Sequence, residues 1–139
     1  MAGPRYSHRA DMLANGRVLV SGGSSGTTAS PSGALASAEL YGDGRWTSVL
    51  PPMHDSRREH TLTRLLDGRL LITGGGGLTG ALASSETFSP DLFTLGPPLT
   101  FPRYAHAATR LGDGRVLVTG GVDSSGTALR SAEIFTTPP

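Results

Sequence analysis

Three stretches of the chain are apolar on consecutive residues: Val18-Leu19-Val20, Leu70-Leu71-Ile72 and Val116-Leu117-Val118. Each follows a Gly-Arg pair and runs into Ser or Thr and then Gly-Gly, at Gly22-Gly23, Gly74-Gly75 and Gly120-Gly121. Apolar residues on successive positions send side chains to both faces of a strand, so these strands are predicted to be covered on both sides. The glycine pair then ends the strand and leaves room for close backbone approach or an unusual φ. Ahead of each run stands Asn15-Gly16, Asp67-Gly68 or Asp113-Gly114, which predicts a two-residue hairpin turn at residues that accept positive φ. The strand entering that turn starts near His8, His60 or His106 and ends at Leu13, Leu66 or Leu111.

Beyond the glycine pairs lie loops rich in Gly, Ser, Thr and Ala, at 24–36, 76–83 and 122–130, which differ in length between copies. A third strand follows, at Ala38-Glu39-Leu40-Tyr41, Ser85-Glu86-Thr87-Phe88 or Ala132-Glu133-Ile134-Phe135. A fourth is predicted at Trp46-Thr47-Ser48-Val49 and at Phe93-Thr94-Leu95, each stopped by a proline pair that cannot donate to a ladder. The third copy has no fourth strand before Pro139.

The copies hold phase. Gly16, Gly68 and Gly114 are 52 and 46 residues apart, and other marks recur in the same register. These marks are Arg5, Arg57 and Arg103; His8, His60 and His106; and Glu39, Glu86 and Glu133. An all-strand repeat near 50 residues cannot bury its own faces and must stack on copies of itself, as propeller blades do. The chain therefore divides into one array of three repeats, 4–55, 56–101 and 102–139.

An Arg-x-x-His opening, a turn, a strand ending in Gly-Gly, a Glu-x-aromatic strand, then Trp and Pro together resemble the kelch repeat, from about residue 4 to 135. The Asp-Gly-Arg-Val-Leu-Val-Thr-Gly-Gly form is similar to bacterial kelch repeats related to the galactose oxidase propeller. The resemblance implies four-stranded blades, first strand innermost, around a central channel. It also implies that the loops between second and third strands share a partner-binding rim with the connections between blades. Phe93 stands where the second repeat should carry the counterpart of Trp46, and three blades fall short of a ring.

Composition narrows the function. Arg and Lys number 12 against 11 Asp and Glu, a net charge of +1, which provides no electrostatic footprint for nucleic acid or an anionic membrane. No apolar run is long enough to span a bilayer as a helix, and Met1-Ala2-Gly3-Pro4 has neither the charged nor the apolar region of a signal peptide. Absence of Cys removes disulfides, thiol nucleophiles and thiolate metal sites. The resemblance to galactose oxidase implies copper held by Tyr and His beside a Tyr crosslinked to Cys. Here Ala105 separates Tyr104 from His106, and without Cys the crosslinked radical site cannot form.

The three His positions could converge on the axis as an imidazole ring, since His is a common metal ligand. A residue present in every repeat is better explained by what every repeat needs, so no metal or cofactor is expected. The Arg and Glu sets read as ion pairs, blade to blade or strand to strand, in preference to an Arg rim for an anionic ligand. His54 has no recurring counterpart. Gly22-Gly23-Ser24-Ser25-Gly26 matches a nucleophile elbow and Gly75-Gly76-Gly77-Leu78-Thr79-Gly80 a dinucleotide fingerprint, but both motifs need a helix to follow and these loops lead into strands.

What remains is a non-enzymatic interaction or scaffold module that offers variable loops to a protein or glycan, with Thr27, Ser32, Leu78, Thr79, Asp123 and Ser124 on its rim. The alternative is a non-catalytic propeller fragment of a galactose-oxidase-like or other carbohydrate-active secreted enzyme. Propellers close with about four to eight blades, so two copies giving six are expected to form a homodimeric ring.

Overall fold

A computed structural model describes residues 1–26 and 33–136 of the chain. Eleven strands and no helix form among the described residues, arranged in three antiparallel sheets. The first sheet holds β1 (Arg9–Met12), β2 (Val18–Ser21), β3 (Ala38–Gly42) and β4 (Arg45–Ser48) in sequential order. The second repeats that order with β5 (Thr61–Arg64), β6 (Leu70–Thr73), β7 (Ser85–Phe88) and β8 (Phe93–Gly96). The third contains β9 (Ala107–Arg110), β10 (Val116–Thr119) and β11 (Ala132–Phe135), with no outer strand among the described residues.

Pairing repeats residue for residue: Val20 faces Glu39, Ile72 faces Glu86 and Val118 faces Glu133. The second strands fall where the consecutive apolar residues place them. The first strands begin one residue after each His, and the side chains of His60 and His106 are drawn into the junction with the preceding sheet.

The hairpin turns differ from the two-residue form. Gly16 N donates to Leu13 O and Leu13 N to Arg17 O, and the bonds repeat at Leu65–Arg69 and Leu111–Arg115. Only the glycine is left-handed (φ 82°, 87° and 91°). The residue before it instead accepts from a backbone amide: Arg17 N to Asn15 Oδ1, Arg69 N to Asp67 Oδ1, Arg115 N to Asp113 Oδ1. A three-residue loop closed by one left-handed glycine therefore replaces the turn that needs two such residues.

The sheets stack like blades, with β1 beside β5 and β5 beside β9. Leu13, Leu19 and Leu40 of the first sheet pack on Leu70, Ile72 and Phe88 of the second. Leu65, Leu71 and Leu99 of the second repeat pack on Val116, Val118 and Phe135 of the third. Among the described residues only the middle sheet is covered on both faces, and all four residues of β6 are buried, whereas β4 is exposed throughout.

Candidate functional site

The recurring Arg and Glu residues are consumed in building each blade. Arg57 is fully buried; its Nη1 donates to Gly74 O (2.6 Å) and Ser84 O (3.2 Å), its Nη2 to Ser84 Oγ (3.1 Å) and Glu86 Oε1 (2.8 Å). Glu86 is also buried and accepts from His54 N at 2.9 Å. Arg103 makes the same bonds to Gly120 O, Ser131 and Glu133, and Arg5 to Gly22 O, Ser37 and Glu39. Each pair lies within one repeat, joining the segment that enters a blade to the second and third strands of that blade. The guanidinium fork satisfies two carbonyls and a carboxylate at once, which a lysine could not do.

His60 and His106 work between blades. His60 Nε2 meets Ser21 Oγ at 3.0 Å, and His106 Nε2 meets Thr61 and Thr73 hydroxyls at 3.1 and 3.3 Å. The glycine pairs make room for them: a Cβ on Gly22 would stand 2.3 Å from Arg57 O and 2.9 Å from His60 Cε1. Burial, reinforced by the charge of Arg57, lowers the His60 pKa to about 3. Burial followed by Arg103 lowers that of His106 to about 4. Both rings are therefore neutral at pH 7. Among the described residues no group of three or more His, Cys, Asp or Glu is placed to hold a metal ion. Tyr104 lies at a rim pocket while His106 is turned into a junction, so the two are not brought together as a ligand pair.

At the rim, Leu78 and Ser124 come together at a cavity of about 200 Å³ whose wall also includes Arg58, Tyr104 and three glycines. Leu78 and Thr79 are exposed. Ser124 Oγ accepts from Ala81 N at 2.9 Å, tying the loop of the third repeat to that of the second. Asp123 braces its own loop, accepting from the Ser125 hydroxyl and from the amides of Thr127 and Ser125. The Ser125 hydroxyl, then the Thr127 amide, hold its carboxyl below the usual range. Thr27 and Ser32 lie outside the described residues.

Arg58 was not singled out by the sequence pattern, and Tyr104 was weighed only as a copper ligand beside His106 and not as a rim residue. Each directly follows a framework Arg, at a position that reads Tyr6, Arg58, Tyr104 across the repeats. Each of these forms an isolated bridge to the start of its own loop: Tyr6 with Ser24, Arg58 with Gly76, Tyr104 with Val122. A Cβ at Gly76 would lie 3.5 Å from Arg58 Nε and 3.9 Å from the Tyr104 ring, so the missing side chain keeps the cavity open between them. Arg58 has no carboxylate partner among the described residues. The cavity thus offers a cation, a phenol ring, a hydroxyl and an exposed apolar tip, a combination suited to holding a polar ligand by its charge and one flat face.

No protein-family model matches the chain, and no curated protein matches it.

Proposed function

We propose that the chain is a kelch-type propeller segment that serves as a non-enzymatic interaction scaffold, presenting its loop rim to a protein or glycan and completing a six-bladed ring with a second copy. One observation carries this reading. The recurring Arg and Glu residues, with His60 and His106, are taken up by blade framework and junctions, and residues that differ between repeats gather at the Arg58–Tyr104 cavity. Variable residues on a rigid frame are where binding specificity resides.

Thermal-shift and calorimetric titration against a panel of neutral and uronic-acid oligosaccharides and acidic peptides tests it. At least one probe should bind, and Arg58→Ala with Tyr104→Ala should abolish that binding without lowering Tm. No binding, or equal binding by the double variant, overturns the rim assignment. Peroxide released from galactose by protein carrying bound copper would overturn the non-enzymatic reading.

A further inference from the structure

Each internal junction between sheets is built from one repeated set of bonds. At the first, Gly23 N donates to Arg57 O (2.9 Å), Arg57 N to Leu35 O (3.0 Å) and Glu59 N to Ser7 O (3.0 Å). At the second, Gly75 N donates to Arg103 O (2.8 Å), Arg103 N to Leu82 O (3.0 Å) and Ala105 N to Glu59 O (2.9 Å). An imidazole-to-hydroxyl bond accompanies each set, His60 to Ser21 and His106 to Thr73.

Moving the register forward by one repeat pairs Gly121 N with Arg5 O, Arg5 N with Leu129 O and Ser7 N with Ala105 O. It also pairs His8 Nε2 with Thr119 Oγ1. Among the described residues none of these groups has a hydrogen-bond partner. Ser7 and Ala105, which would form one of these bonds, share the left-handed φ of Glu59, near 51–53°.

The apolar surfaces match in the same register. Tyr41 and Trp46 occupy the positions of Phe88 and Phe93, which the first sheet buries, yet are 41% and 42% exposed. Ile134 occupies the position of Leu40, which the second sheet buries, and is 45% exposed. Gly120 repeats Gly22 and Gly74, but a Cβ there would meet only Leu129 O, at 3.7 Å. At Gly22 and Gly74 the obstructing atoms are the carbonyl and imidazole of the next repeat.

We propose that the two end surfaces are the halves of one interface and that the partner is a second copy of this chain, docked head to tail so that repeat 3 of each copy covers repeat 1 of the other, with His8 seated on Thr119. This rests on the reading that two copies complete the ring, and it fixes which surfaces meet and in what register. A bond set this specific excludes a generic apolar partner, because backbone donors and acceptors must alternate as they do at the internal junctions. The chain itself carries both complements. Two head-to-tail contacts close under a two-fold axis at six blades, within the range of about four to eight that closed rings use.

Tyr41→Asp and Ile134→Arg each alter one end surface at a side chain exposed in the single chain, so each variant keeps its internal core, which far-UV circular dichroism verifies. By light scattering coupled to size exclusion, the native chain should run at twice 14.3 kDa. Each variant alone should run at 14.3 kDa, with a dissociation constant raised about tenfold or more, as for losing an anchor side chain. An equimolar mixture should return to the dimer, since it keeps one native contact and places Asp and Arg at the other. A native chain that stays single at its highest soluble concentration overturns both the ring and this docking. A native dimer that survives either variant, or a mixture that stays single, keeps the dimer but overturns the head-to-tail register. Rim binding read through Arg58 is scored separately and is untouched by either result.

Discussion

His60 Nε2 lies 3.0 Å from Ser21 Oγ, a bond between residues 39 positions apart that joins the core of one sheet to the next. The ring is fully buried, so it folds only as the neutral base. His106 repeats the arrangement one blade further on.

Acid should therefore destabilise the fold well above the carboxylate range. The folded pKa values, about 3 for His60 and about 4 for His106, lie below the ordinary histidine value of 6.5, so the unfolded chain takes up protons first as pH falls. Stability is complete above pH 6.5 and declines below it, approaching about 1.4 kcal/mol per pH unit for each ring until its folded pKa is reached. Urea midpoints at fixed protein concentration should fall steeply from pH 6.5 to 4, and His60→Gln with His106→Gln should flatten the slope. Equal slopes in the two proteins would refute the assignment.

The Arg57–Glu86 pair gives a second prediction. Both side chains are fully enclosed, and removing one leaves the other charged and unpaired, at a cost of about 3–5 kcal/mol. Arg57→Ala should lower the urea midpoint far more than Arg115→Ala, whose pair with Asp113 is half exposed on each side. Similar midpoints would mean that the buried network contributes nothing.

Much of this framework was legible in the sequence because its residues repeat, and repetition separates what every blade needs from what one blade does. Val18–Ser21, Leu70–Thr73 and Val116–Thr119 mark the second strands, since each apolar run is too short for a helix and is bounded by glycine turn signals on both sides. The partner of each Arg was not legible. A period places Arg57 in phase with Glu39 and Glu86 alike, and only the fold shows that the entering segment returns to its own third strand. The turns were misjudged because Asn-Gly and Asp-Gly suit both loop lengths; the side-chain bond to Arg17, Arg69 or Arg115 decides for the longer one. The rim role of Arg58 and Tyr104 was not legible because their position varies between repeats, and nothing in the sequence shows that Gly76 leaves space between them.

Leu78 supplies a third prediction. It is 73% exposed at the rim cavity, so Leu78→Ser removes little buried surface and should leave Tm nearly unchanged. Any probe that binds through Arg58 should nonetheless bind the variant more weakly. A marked fall in Tm would show that the loop tip supports the fold and is not a free contact surface.

The three equivalent glycines provide the last prediction. At Gly22 and Gly74 an added Cβ would fall 2.3 and 2.6 Å from the carbonyls of Arg57 and Arg103, so the next blade would have to shift. All three glycines are left-handed, with φ of 60°, 56° and 64°, so each substitution carries backbone strain of about 1–2 kcal/mol. Gly22→Ala and Gly74→Ala add overpacking and should cost about 2–5 kcal/mol in all. Gly120→Ala carries the strain alone in a single chain, because among the described residues nothing approaches closer than 3.7 Å. Urea denaturation in the Tyr41→Asp background, where chains remain apart, should rank Gly120→Ala mildest of the three. In the otherwise native chain the same substitution should abolish the dimer, because the carbonyl of Arg5 and the ring of His8 from the second copy would need the space its Cβ takes. If Gly120→Ala dimerises as the native chain does, the third repeat's glycine faces no partner and the docking of His8 on Thr119 is wrong.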